Sequence, residues 1–137
     1  MQEVIPFNRP HRLTVKSLSD ERCEVALPLR RRNLNHVGTM HACALATAAE
    51  YASGLSVLSA LGVGRARLVM ANMQISYSRR ADSNCVAEAK LPSEVLNHVQ
   101  RQLLEGGRCA FELHSVVRDA STEVVAEAQI TWHLKAL

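Results

Sequence analysis

Aromatic residues are scarce in this chain of 137 residues, which holds two Phe, two Tyr and one Trp. A surface that stacks nucleic-acid bases needs several exposed rings. A net charge of +3 supplies no strongly basic face to go with them, so nucleic acid is not an expected partner. The four cysteines, Cys23, Cys43, Cys85 and Cys109, are spread singly and form no C-x-x-C pair, which removes the common zinc and redox motifs. Buried reduced thiols fit that spread, and with them a cytoplasmic location. The opening Met-Gln-Glu-Val-Ile-Pro lacks the basic-then-apolar run of a secretory signal. No internal repeat, low-complexity tract or linker divides the chain, so residues 1–137 are expected to form a single domain.

What is present is a long run of small and apolar residues. Seven Ala residues fall between Ala42 and Ala60, with Leu45, Leu55, Val57, Leu58 and Leu61 among them. Ala and Leu lose little side-chain freedom on coiling, so the run predicts a helix over 41–61. Thr39 is the expected N-cap, and Gly62 and Gly64 the stop. Nearly every face of this helix is small or apolar, which predicts burial. Its length would also suit a membrane span, but Glu50 in its middle and Ser53, Ser56 and Ser59 in its second half argue for the core of a folded sheet protein and for no membrane.

On both sides of the helix the hydrophobic period is two, the period of a strand with one covered face. Leu13–Lys16 and Cys23–Leu29 read as a strand pair joined by a turn at Ser19-Asp20. Downstream, Val69, Ala71, Met73, Ile75 and Tyr77 alternate with Met70, Asn72, Gln74, Ser76 and Ser78. Cys85–Leu91, Cys109–Val117 and Val124–Lys135 repeat the pattern, and about Ser93–Glu105 has the spacing of a short helix or crossover that ends at Gly106-Gly107. The order is strand, strand, long helix, then four strands. Only the helix is long and apolar enough to cover six half-apolar strands. The expected fold is therefore α+β, a curved antiparallel sheet of about six strands wrapped around one long central helix.

The chemistry concentrates where the loop meets the helix. Asn35-His36-Val37-Gly38-Thr39-Met40-His41, with Glu50 nine residues beyond His41, resembles the hotdog-fold acyl-CoA thioesterases, most closely their phenylacetyl-CoA thioesterase-like branch. That motif is an Asn, a Gly, then His-Gly-Gly, and an acid about nine residues on. Asn35, Gly38, His41 and Glu50 match it in type and spacing. Ala42 and Cys43 stand where Gly-Gly is usual, and Glu replaces the more common Asp. The resemblance implies a single hotdog domain, thioester hydrolysis without a cofactor, an acyl-CoA substrate, and a homodimer or dimer of dimers with sites at the subunit interface.

Elementary chemistry gives these residues roles of their own. Amides at the start of a helix, here Ala42 and Cys43, lack intrahelical acceptors and suit a developing oxyanion on a thioester carbonyl. Asn35 and His41 carry side-chain donors for the same carbonyl or for a water. Glu50 is the only charge in an apolar helix, an environment that raises a carboxyl pKa and makes a better base near neutrality. Whether it activates water or attacks directly stays open. Nine residues are about two and a half turns, with about 13 Å of rise, so His41 and Glu50 face opposite ways and a site using both needs two chains.

Other readings accompany each residue. Glu50 could be a structural carboxylate, His36 a solvated loop residue, and Cys43 a packing residue or a thiol activated at the helix start. His36, His41 and Glu50 fit no familiar zinc spacing, so no metal is expected. Arg30, Arg31, Arg32, Arg65, Arg67, Arg79 and Arg80 form a rim suited in part to the phosphates of coenzyme A. A non-catalytic acyl-CoA or acyl-carrier binder on the same fold is the alternative function, and the Ala42-Cys43 departure is its best support. A hydratase-type lyase would need a differently placed Asp/His pair.

Overall fold

The computed structural model describes residues 5–19, 21–62 and 64–137. The lead-in Met1–Val4 and the Asp20 of the expected Ser19-Asp20 turn lie outside the described residues. The chain runs through a 3-10 turn at Pro6–His11, β1 (Thr14–Leu18), β2 (Arg22–Leu27), a 3-10 turn at Arg31–Asn33 and α1 (Ala42–Leu61). It continues with β3 (Ala66–Tyr77), β4 (Cys85–Lys90), α2 (Ser93–Gly106), β5 (Arg108–Arg118) and β6 (Val124–Ala136). The six strands make one sheet in the order β1-β2-β4-β5-β6-β3, and every neighbouring pair is antiparallel. Strand β2 stops two residues short of the expected Leu29, because Pro28 cannot donate to the ladder.

One face of the sheet is lined by Cys23, Val25 and Leu27 of β2, Cys85, Ala87 and Ala89 of β4, Phe111 and Leu113 of β5, and Ile130, Trp132 and Leu134 of β6, all buried. Helix α1 lies on that face and buries Ala44, Leu45, Ala48, Ala49, Ala52 and Leu55 against it. Small residues on both sides, the helix alanines and Ala87 and Ala89, let the backbones approach closely enough to close-pack. By length and composition α1 could cross a membrane, yet most of it is buried within this fold. Burial also pushes the Cys23 and Cys85 thiols up to about 11. Both stay protonated and unreactive at neutral pH.

Two polar groups of this core pair with each other, whereas the buried Tyr51 hydroxyl has no hydrogen-bond partner among the described residues. Trp132 donates from Nε1 to Ser53 Oγ at 3.0 Å, and Ser53 Oγ donates to the Glu50 carbonyl at 2.8 Å. Ser53→Ala leaves the buried indole N–H without an acceptor. It is expected to lower unfolding free energy by about 1–3 kcal/mol, read from the denaturant midpoint. Gly54 is adjacent for a related reason: a Cβ there would come within 3.3 Å of the Trp132 ring.

Strand β3 departs from the expected alternation. Met70 pairs with Trp132 and Asn72 with Thr131, so Ala71 is an extra residue, a β-bulge. The inserted residue reverses the phase of the strand before it. Leu68 and Met70 therefore share the covered face with Met73, Ile75 and Tyr77, and Val69, expected inward, points to the outer face beside Arg67. Val69 is 56% exposed.

Candidate active site

The start of α1 is set by contacts from distant chain. Met40 N–H donates to the Ala81 carbonyl at 2.8 Å, and His41 N–H to the Asn33 carbonyl at 2.7 Å. Asn33 is wholly buried, and its side-chain amide donates to the carbonyls of His11 and Pro28 at 2.9 and 2.8 Å. The helix therefore begins one residue after His41. His41, not Thr39, is the N-cap: its Nδ1 accepts from the Cys43 N–H at 2.9 Å. An accepting Nδ1 leaves the ring proton on Nε2, facing outward on an exposed ring.

Thr39 belongs to the preceding loop instead. Asn35 Oδ1 accepts from the amides of Val37 and Thr39, both at 3.0 Å. Asn35 Nδ2 donates to Thr39 Oγ1 at 2.9 Å and to the Met40 carbonyl at 3.5 Å. Both lone-pair sites and both amide protons are engaged, so within this chain Asn35 has no donor left for a substrate carbonyl. It shapes the loop. Gly38 sits inside that loop at φ +80°, a left-handed conformation that favours glycine. His36 is exposed on the same loop.

Two free amides were expected at the helix start, and one remains. The Cys43 N–H is taken by His41, whereas the Ala42 N–H has no acceptor among the described residues. The Ala42 carbonyl is held too, accepting from Tyr77 Oη at 2.9 Å. Sequence reasoning placed Tyr77 on a strand face and missed this role, since the contact joins residues 35 apart. Asn35, Ala42, Leu45, Tyr77, Arg79 and Ala81 line a cavity of about 330 Å³ at this end of α1. The Cys43 thiol is exposed beside it.

Glu50 lies elsewhere. It is half-buried and lines a second cavity of about 300 Å³ with Leu55, Leu58, Leu68, Met70 and Trp132. Burial pushes its carboxyl pKa up, and among the described residues no neighbouring charge or hydrogen bond contributes. The structure thus brings Asn35, Gly38, His41, Ala42 and Cys43 together and leaves Glu50 at a separate opening. Among the described residues, no three His, Cys, Asp or Glu side chains gather as metal ligands.

This architecture has solved relatives. A protein of unknown function and probable thioesterase from Pseudomonas aeruginosa superposes with a TM-score of 0.89 at 27% identity, over 99% of this chain and 91% of that one. A conserved protein of the same organism gives 0.78 at 25%, over 97% and 96%. A Haemophilus influenzae thioesterase gives 0.78 at 15%, over 96% and 83%, which speaks for the fold alone. No curated protein matches. The sheet wrapped on one central helix, shared with these proteins, is the hotdog fold of a thioesterase-like family. Residues 1–134 match the family described as Domain of unknown function (DUF4442), and the chain belongs to it.

Proposed function

We infer that this protein hydrolyses acyl-CoA thioesters in a site built from two copies of the chain. One observation carries the reading: Glu50 has no charged or hydrogen-bonding side-chain partner among the described residues, is raised in pKa by burial, and lines an otherwise apolar cavity. A structural carboxylate would have an Arg, Lys or amide partner, whereas a general base at neutral pH needs this environment. The apolar cavity receives the acyl chain. Water adds to the carbonyl carbon as Glu50 takes its proton, the oxyanion forms against the Ala42 N–H, and the C–S bond breaks as that proton passes from Glu50 to the sulfur, releasing the thiol. Direct attack by Glu50 would instead pass through an anhydride that water then cleaves.

The strand at the sheet edge supports sharing between subunits. β3 pairs only with β6, so its other edge is open. Tyr77, at its end, holds the helix start, and Leu68 and Met70, near its beginning, line the Glu50 cavity. Antiparallel pairing of Met70–Tyr77 with the same segment of a second copy sets Tyr77 of each chain against Met70 of the other. The free Ala42 amide of one chain then faces the Glu50 of its partner. A two-fold pairing of this kind closes on itself and removes an open strand edge. A cytoplasmic dimer or dimer of dimers is the assembly this reading requires.

The test is hydrolysis of a panel of acyl-CoAs, aliphatic and aromatic, followed by release of the free thiol, with the oligomer measured alongside. Turnover of at least one acyl-CoA by a dimer or larger assembly is expected. Tight acyl-CoA binding with no turnover across the panel would overturn the reading in favour of a non-catalytic binder.

A further inference from the structure

The outer face of the sheet carries two charged groups of opposite character. At the β2-β4-β5 end, Glu24 and Glu88 lie directly opposite one another, and arginines compensate them. Arg22 reaches Glu24 at 3.2 Å and Glu88 at 2.9 Å, and Arg118 reaches Glu88 at 3.8 Å. At the β3-β6-β5 end there is no such compensation. Arg67 pairs in register with Lys135, and Lys135 with Arg108, which sets three cations side by side across three strands. None has an ion-pair partner within 4.0 Å among the described residues, and no acid lines the groove that all three share.

Like charges directly opposite on a sheet are destabilising. Neighbouring strands are only about 4.8 Å apart, so the three side chains can close on one polyanion. The groove holds about 540 Å³, within the range of small-molecule sites. The next row inward holds no Arg, Lys, Asp or Glu: Val69, His133 and Ala110 stand in register and give the groove a floor beside its cationic end. Val69 lines both this groove and the Glu50 cavity. The two openings thus lie on opposite faces of the sheet and share only Val69, at the beginning of edge strand β3 and outside the Met70–Tyr77 segment assigned to subunit pairing.

We propose that Arg67, Lys135 and Arg108 bind the phosphates of the nucleotide end of coenzyme A, with the base lying over Val69, His133 and Ala110. This assignment rests on the thioesterase reading for its ligand. A 3′-phosphate and a 5′-diphosphate on one ribose are a compact polyanion that matches three adjacent cations, and arginine takes phosphate through paired N–H donors. Adenosine without phosphate lacks what the row recognises.

Calorimetry with coenzyme A, adenosine 3′,5′-bisphosphate and adenosine tests this on the intact protein, for wild type and for Arg67→Gln/Arg108→Gln/Lys135→Gln. Wild type is expected to bind the first two far better than adenosine, with affinity that falls as salt rises. The triple variant should bind both phosphorylated ligands at least tenfold more weakly. It should melt no lower than wild type, because the substitutions relieve repulsion between exposed side chains. In the hydrolysis assay its KM for acyl-CoA should rise at least tenfold with kcat little changed, and its preference for acyl-CoA over a phosphate-free pantetheine thioester should collapse. Equal binding of coenzyme A by folded variant and wild type would overturn the proposal, as would a wild type that binds neither phosphorylated ligand. Binding through these residues without hydrolysis would leave the anion site standing and remove the enzyme. Hydrolysis with an unchanged KM would do the reverse.

Discussion

Glu50→Gln is expected to cut acyl-CoA turnover by about 10²–10⁴-fold, the usual worth of a positioned general base, while acyl-CoA binding is retained. Gln keeps the shape of the side chain and loses only its capacity to take a proton. Stability gives a second readout with a definite sign. Burial raises the Glu50 pKa, so between the ordinary carboxyl pKa and the raised one the folded chain holds a proton that the unfolded chain has released. Folding stability from this group therefore falls as pH rises through that window. Glu50→Gln removes the cost of an ionised, half-buried carboxylate, so at neutral pH the variant should unfold at the same denaturant concentration as wild type or higher. The wild-type rate should rise with pH through the same raised pKa, since only the carboxylate form is a base. A variant whose turnover stays within about threefold of wild type would take Glu50 out of the chemistry.

Ala42→Pro is the matching experiment at the helix start, and it should cost about 10²–10³ in kcat, the worth of one oxyanion donor. The substitution deletes an N–H that has no acceptor among the described residues. Ala42 is also the first helical residue, where proline is well tolerated. His41 before it is extended, at φ −65° and ψ 139°, as a residue preceding proline prefers. The fold should survive, which circular dichroism and thermal melting check. Mixing Ala42→Pro subunits with Glu50→Gln subunits then tests the shared site. After random exchange about half the dimers are hybrids, each with one intact and one doubly broken site, so activity should return to about a quarter of wild type. Size measurements must first establish that both parents form the same oligomer and exchange subunits. Exchange without recovery would mean that Glu50 serves its own chain or none.

Much of this arrangement could be read from the residues. The alternation in β5 and β6 was unambiguous because polar side chains separate the apolar ones, and α1 had little else to be once its alanines and the following glycines were counted. What escaped the reading depended on contacts far along the chain. The choice of His41 over Thr39 as N-cap follows from Met40 binding the Ala81 carbonyl, 41 residues away, and no local preference encodes that. Asn35 carried the expected chemistry of a donor, but only its surroundings show the loop consuming every one of its hydrogen-bonding groups. Leu68-Val69-Met70-Ala71 is apolar at four consecutive positions, so a period of two had no polar residue there to fix its phase.

The Ala71 bulge also bears on how this strand tolerates changes of length. Each other interior residue of β3 keeps its neighbours on their assigned faces, and losing one would swap inside for outside in the segment beyond it. Ala71 is the surplus residue of the ladder, so its loss would rejoin Met70 to Asn72 with both faces unaltered. A lineage could shed or regain this one codon and keep Arg67 outside and Leu68 within. Loss of Leu68 with the rest of the register kept would instead turn Arg67 toward the core.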